Sequence, residues 1–305
     1  MASRDPRQSR LGFLLVVLAA VLFALSGTAA KFLFNHGLSA FQLIQLRITL
    51  AFAGLLLFVC LRAPGRLKIS RKDLPYFACL GVFGIGAAQF FYLLAISRIS
   101  VASAILLHYT GPIFVALYVL FVRRQKLRLP TILSMAGTLV GCYFMVGAYN
   151  MQLHALNWTG IIAGLLAAMA FAAYSLLSDH GMRTYTPWSV LLFGLLFAAL
   201  MWNILHPPLA AFFQGYSLLQ WACIGFIGIF GTIVPFGLYF EGIKRIQPTH
   251  ASITATLEPI SAGVFAALFL GEIMAPLQIG GGLLVIASIV WLQLHSASAG
   301  PIPID

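Results

Sequence analysis

Residues Thr249 to Glu272 read T-H-A-S-I-T-A-T-L-E-P-I-S-A-G-V-F-A-A-L-F-L-G-E. At roughly 1.5 Å per residue, this stretch crosses a bilayer as one helix. It carries Glu258 and Pro259 near its middle. An ionised carboxylate is costly in hydrocarbon, so Glu258 is expected to face protein or water rather than lipid. Pro259 has no N–H, and its ring clashes with the carbonyl of Ala255. A kink is therefore expected, with that carbonyl in need of a partner; Thr254 and Thr256 are the nearest hydroxyls. A bent helix with an acid at mid-depth points to a polar cavity inside the membrane.

The stretch has a counterpart earlier in the chain. Pro112 precedes Pro259 by 147 residues, and the same offset joins Gly81 to Gly228, Phe83 to Phe230, Gly84 to Gly231 and Tyr92 to Tyr239. It continues through Ile96 and Ile243, Arg98 and Arg245, Ile99 and Ile246, and Ala104 and Ala251, and ends at Ile113 and Ile260. L-G-V-F-G thus aligns with I-G-I-F-G without a gap. Glycine and alanine recur by chance in apolar chains. Paired prolines, arginines and tyrosines at one offset read as a duplication.

Of 305 residues, 61% are hydrophobic and only 8% are charged. That excludes a disordered chain and an ordinary soluble domain. The apolar residues come in long runs between short polar turns, the pattern of a polytopic membrane protein. The net charge of +11 raises nucleic acid as a partner. The basic residues sit mainly at the ends of apolar runs, which excludes that partner and names the lipid bilayer instead. Cys60, Cys79, Cys142 and Cys223 lie in or beside apolar segments, with no metal or redox spacing, and read as buried thiols. The first apolar run is long and lacks a small-residue cleavage pattern, so no cleaved leader is expected.

The runs define ten expected spans: Leu11–Phe34, Phe41–Leu61, Leu74–Ile96, Val101–Val122, Pro130–Ala148, Trp158–Ser178, Trp188–Leu205, Leu218–Gly242, His250–Leu270 and Leu277–Leu294. The expected organisation is a cytoplasmic N-terminus (1–10), a first five-helix repeat (11–148), a periplasmic connection (149–157), a second five-helix repeat (158–295) and a flexible tail (296–305). Lysine and arginine set the orientation. Arg4, Arg7 and Arg10 precede the first span; Arg62, Arg66, Lys68, Arg71 and Lys72 follow the second. Arg123, Arg124, Lys126 and Arg128 follow the fourth, Arg183 the sixth, and Lys244 and Arg245 the eighth. All fall on one side, taken as cytoplasmic, with both termini there and the chain in the inner (plasma) membrane. The opposite side has little beyond Lys31 and Arg98. An odd number of spans per repeat makes the second copy enter from the other face. The fold class is therefore an all-α polytopic membrane protein, ten transmembrane helices forming two inverted five-helix repeats around a central cavity. Inverted repeats are a device of transporters that open a central site to each side in turn.

This arrangement, with L-E-P…L-G-E at Leu257, Glu258, Pro259, Leu270, Gly271 and Glu272, resembles the EamA family of the drug/metabolite transporter superfamily. The resemblance covers about residues 11–294. Within that family the chain is similar to the YddG-type exporters of aromatic and neutral amino acids. The resemblance implies export of amino acids or other metabolites. The first half departs from the pattern: its equivalent reads H-Y-T-G-P-I-F-V-A-L, with Gly111 opposite Glu258. That speaks against a mechanism needing two symmetric acids.

Several residues are candidates for contact with a substrate. His108, Tyr109, Gly111 and Pro112 mirror the ninth span; Pro112, like Pro259, is read as a helix kink, freeing the carbonyl of His108. His108 reads either as a binding locus for an amino or carboxylate group or as a core histidine bonded to a neighbouring helix. Phe171, Tyr174, Ser175 and Ser178 share one helix face, and Gln89 and Tyr92 another, with Tyr239 the repeat equivalent of Tyr92. Such aromatic walls with a few hydroxyls suit an aromatic or aliphatic side chain, though each residue alone also reads as packing. Glu258 reads as a structural acid at the kink, a contact for a substrate amine, or a proton-coupling site. Arg47 and Lys31 are expected to snorkel toward the outer interface, with Arg47 within reach of Glu272. Gly280, Gly281, Gly282 and the Gly81/Gly84 and Gly228/Gly231 pairs are expected to bring helices close together.

The pattern carries no metal spacing, catalytic triad or paired carboxylates, so no cofactor and no enzyme are expected. No phosphate loop is present, so ATP is not the direct energy source. The expected function is a monomeric secondary transporter exporting small metabolites, most of all aromatic and neutral amino acids, by alternating access. The alternatives are an exporter of drugs or nucleoside-like metabolites, a channel, and a membrane-embedded enzyme, for which Asp179, His180 and Arg183 form the nearest cluster.

Overall fold

The computed structural model describes residues 6–62, 64–122, 124, 129–145, 157–205, 207, 209–246, 254–255 and 257–297. Among them every regular element is a helix. In order these are α1 (Pro6–Asn35), α2 (Ala40–Arg62), α3 (Leu74–Cys79, continued through Leu80–Gly86 to Ala87–Arg98), α4 (Val101–His108), α5 (Gly111–Phe121) and α6 (Leu129–Met145). Then come α7 (Trp158–Met182), α8 (Pro187–Leu205), α9 (Leu218–Gly228, continued through Ile229–Ile233 to Val234–Arg245), α10 (Leu257–Leu270) and α11 (Pro276–Ala297).

Seven segments are long and apolar enough to cross a membrane: Arg10–Asn35, Ala40–Arg62, Arg71–Arg98, Val101–Tyr118, Trp158–Met182, Pro187–Leu205 and Leu218–Gly242. Three shorter apolar helices, Leu129–Met145, Leu257–Leu270 and Pro276–Trp291, fall on the other expected spans. Large apolar side chains such as Leu57, Phe83, Leu200 and Leu268 stand exposed on the outside of the bundle, as lipid contact requires. Cys60 and Cys79 are exposed too, correcting the reading of all four cysteines as buried; Cys142 and Cys223 are partly covered, and all four are free thiols.

Helix starts are built from local chemistry. Ser217 and Gln220 form a reciprocal capping box ahead of α9, and Asn157 and Ser100 cap α7 and α4 through their side-chain oxygens. The fourth expected span is not one straight helix. It breaks at Tyr109 and Thr110, and Gly111-Pro112 opens α5, where proline's missing N–H is harmless. Two further irregularities are π turns, at Leu80–Gly86 in α3 and Ile229–Ile233 in α9. Both fall on the paired L-G-V-F-G and I-G-I-F-G motifs.

Hydrogen bonds tie the helix ends into two layers. At one end Tyr185, between α7 and α8, donates to Asp73 and accepts from the Ser70 N–H. The Asp73 carboxylate raises the Tyr185 phenol above its ordinary value by accepting that bond. Gly12 of α1 lies against Arg245 and Ile246 at the same end. This end therefore gathers Arg10, Arg62, Arg71, Lys72, Arg183 and Arg245. At the opposite end the Gln220 side chain donates to the His36 carbonyl, Asn157 to the Arg98 carbonyl, and Gln278 to the Met145 carbonyl.

Glycines mark the closest helix approaches. A Cβ on Gly281 of α11 would lie 2.6 Å from the Gly141 carbonyl of α6, and one on Gly141 would lie 2.7 Å from the Gly281 carbonyl. The two backbones meet with no room for a side chain. Gly280, one residue earlier, has open space where its Cβ would go. Gly281→Val is expected to destabilise the folded protein by ~1–3 kcal/mol through overpacking, whereas Gly280→Val leaves it unchanged. Thermal unfolding of both variants in detergent checks this; equal midpoints would remove the interlocked contact as a stabilising feature.

Candidate functional site

Two prolines shape the middle of the bundle. In a regular helix the Gly231 carbonyl would accept from the N–H of residue 235, which is proline. The Ala255 carbonyl stands in the same relation to Pro259. Both oxygens therefore lose their helical donor inside the bundle, where an unserved peptide oxygen is costly. Each is taken by a side chain from the first half of the chain. Arg47 Nη2 donates to Gly231 O at 3.1 Å, and Tyr109 OH donates toward Ala255 O at 2.9 Å. The π turn of α9 completes the first arrangement. Thr232 Oγ1 donates back to Ile227 O at 3.0 Å and accepts from Arg47 Nε at 3.1 Å.

Arg47 is thus 4% exposed and points inward. This corrects the expectation that it snorkels to the interface. Nor does it pair with Glu272. Lys31 does, at 3.6 Å, while also donating to the carbonyls of Ile96 and Ile99 at 2.9 and 2.8 Å. Lys31 is therefore tied down as well, not snorkelling. The second oxygen of Glu272 accepts from the Val101 N–H at 2.9 Å. This clasp joins α1, the α3–α4 corner and the chain just past α10, at the end of the bundle opposite the basic residues.

Beneath the clasp lies a cavity of about 520 Å³. Its wall draws on α1, α2, α3, the α4–α5 corner, α7, α8, α9, α10 and α11. Nine of the ten residues expected to meet a substrate line it: Gln89, Tyr92, His108, Tyr109, Phe171, Tyr174, Ser175, Tyr239 and Glu258. Gly111 does not. Its missing Cβ instead makes room for Phe171, whose ring carbon would lie 3.0 Å from it. Arg47, expected at the interface instead, lines the cavity, as do Thr232, Phe23, Phe236 and Phe240, which the sequence had not singled out. The lining ends at Met182, the half-exposed last residue of α7, on the basic end.

The wall is mostly aromatic. His108 stands between Tyr92 and Phe171, with ring centres 5.3 and 4.7 Å away, and Tyr174 follows Phe171 at 5.8 Å. The polar groups are few and distinct. Glu258 Oε2 accepts from Tyr109 at 3.0 Å, so one phenol proton faces both this carboxylate and the Ala255 carbonyl. Arg47 and Glu258 share the cavity without a direct ion pair. Gln89 Oε1 is buried without a hydrogen-bond partner among the described residues. Those residues contain no group of three or more metal-ligating side chains. At the basic end Asp179 and Arg183 simply pair, 3.6 Å apart on an exposed helix turn. Thr256, named as a possible partner at the kink, lies outside the described residues, and Tyr109 fills the role.

The EamA-like transporter family profile matches residues 10–147 and again 158–294. The chain belongs to that family. An uncharacterised transporter of Archaeoglobus fulgidus is 32% identical over 93% of this chain and 97% of its own. The threonine/homoserine exporter RhtA of Escherichia coli is 26% identical over 87% of this chain and 86% of its own. A solved crystal structure superposes with a TM-score of 0.61 at 19% identity, over 98% of this chain and 100% of that one, which shows a shared fold.

Tyr109→Phe removes the donor to both Ala255 O and Glu258. Leaving a buried acceptor unsatisfied costs about 1–3 kcal/mol, so the melting midpoint in detergent is expected to fall by several degrees. An unchanged midpoint would mean that water already serves both oxygens.

Proposed function

We propose that this EamA-family transporter exports small metabolites, foremost neutral and aromatic amino acids, across the inner membrane by alternating access. The observation that carries the reading is the mid-bundle cavity, aromatic-walled with Arg47 and Glu258 set into it, clasped at one end and reaching Met182 at the other. The name of the Escherichia coli relative, a threonine/homoserine exporter, supports amino acids as the class.

The cavity is built by two inverted five-helix halves, residues 11–148 and 158–295, ten spans in all. Reciprocal contacts support this. Gly81 packs on Phe197, and Gly228 on Leu50. Both Gly81 to Gly228 and Leu50 to Phe197 are the offset of 147, so the same contact is made twice with the halves exchanged. Gly160 on Arg98 and Ile99 parallels Gly12 on Arg245 and Ile246, with the glycines one residue out of the 147 register. The coincident π turns and the doubled family match point the same way. Since both halves supply the wall, one chain suffices as the working unit. The basic end faces the cytoplasm with both termini, following the positive-inside rule. The cavity is then open inward, and the Lys31–Glu272 clasp is its outer door.

In proteoliposomes of the pure protein, counterflow of labelled neutral amino acids is expected above that of empty vesicles. No counterflow with any of the standard amino acids would remove that substrate class. The outer door has its own consequence. In a background with all four cysteines changed to serine, Gln89→Cys is expected to resist a membrane-impermeant maleimide added outside. Adding Glu272→Ala should raise its labelling rate several-fold. An equal rate with the clasp intact would show that Lys31 and Glu272 do not hold the outer side shut.

A further inference from the structure

We propose that Arg47 and Glu258 form a bipolar site that recognises both ends of a free amino acid, Arg47 taking the α-carboxylate and Glu258 the α-ammonium. This rests on the transport reading above and deepens it. The guanidinium is fastened from one side only. Its Nε and Nη2 are held by Thr232 and Gly231, and Nη1 has no hydrogen-bond partner among the described residues. A buried guanidinium with an unused donor edge facing a cavity is complementary to a carboxylate. Glu258 is fastened in the same one-sided way. Oε2 is held by Tyr109, and Oε1 has no hydrogen-bond partner among the described residues. A buried carboxylate with a free oxygen is complementary to an ammonium.

The two charges come from opposite halves, and neither has a charged counterpart. At the offset of 147, Gly194 stands for Arg47 and Gly111 for Glu258. The cavity therefore carries one cation and one anion that make no direct ion pair. A zwitterion set between them adds no net charge to the buried space and completes both hydrogen-bond sets at once. A substrate with only one of the two charges leaves the other protein charge unserved, which is the costly case for a buried ion. The substrate's own side chain then rests on the wall of Tyr92, His108, Phe171 and Tyr174. Neutral side chains are favoured there, because that wall offers no further charge.

The test uses purified protein in proteoliposomes and the neutral amino acid that the wild type moves fastest in counterflow. Its N-acetyl derivative lacks the ammonium, and its primary amide lacks the carboxylate. Each is expected to compete at least tenfold more weakly than the parent. In Glu258→Gln the parent should weaken until it matches the N-acetyl derivative, with the amide still excluded. In Arg47→Gln the parent should weaken until it matches the amide. A wild type on which the capped compounds compete as well as the parent overturns the site while leaving amino acid transport standing. So do variants that lose parent and capped compounds by the same factor. A folded wild type that moves no neutral amino acid overturns the transport reading and the site together. Should either glutamine variant fail to fold, the wild-type competition series decides alone, with Arg47→Lys and Glu258→Asp as milder probes.

Discussion

Two missing N–H groups organise the centre of this protein. Pro235 and Pro259 each strip a backbone carbonyl of its helical donor inside the bundle, and an unserved buried peptide oxygen is expensive. The answer in both cases is a polar side chain from another helix, Arg47 for Gly231 and Tyr109 for Ala255. Both donors bring a consequence beyond the bond itself. Arg47 carries a charge into the bundle, and Tyr109 holds Glu258 by the same hydroxyl that serves the carbonyl. The features that make the helices irregular are thus the ones that plant the polar groups in the cavity. Removing the prolines would leave two regular helices with no reason to draw a guanidinium inward.

The apolar surroundings sharpen this effect. Most of the cavity wall is aromatic or aliphatic, with hydroxyls of tyrosine, serine and Thr232 set among it, and Arg47 and Glu258 bring the opposite charges. Glycines supply the space. Gly231 lies so close to α1 that a Cβ there would run into Ser26 Oγ, and a Cβ on Gly84 of α3 would lie 3.2 Å from the backbone of Tyr174. Close approach at the π turns is what lets Arg47 span from α2 to the α9 backbone. It also lets Tyr174 stand at the cavity wall instead of being held away by a larger neighbour.

Much of this was legible in the residues. The acid beside a proline pointed to a cavity, and the aromatic faces of α3 and α7 to its wall; Pro259 itself falls in the first turn of α10. The positions of the apolar helices followed from the apolar runs alone. The errors have a common origin. Arg47 lies near the end of an apolar run with a stem long enough to reach the interface, so snorkelling read as its natural fate. The overlooked signal was Pro235, whose orphaned carbonyl called for a donor just as the one before Pro259 did. Gly111 was misread for a related reason: it occupies the position equivalent to Glu258, but what it supplies is clearance for Phe171. Lys31 and Glu272 could not be paired from sequence, because their contact depends on how the ends of α1 and α10 meet.

An asymmetry remains to be reconciled with a duplicated fold. Halves that exchange conformations have no need of identical binding groups, because a ligand at the centre sees both at once. One charge from each half is in fact the more useful arrangement. Two acids facing each other in low dielectric repel, and two cations do likewise, whereas a separated cation and anion leave the empty site neutral. A zwitterion bridging Arg47 and Glu258 touches both halves, so its binding energy depends on how far apart they stand. That dependence is what allows a bound substrate to favour one conformation over another. In the proposed site, opposite charges placed in different halves would do more than select the ligand: they would tie its presence to the motion by which it leaves.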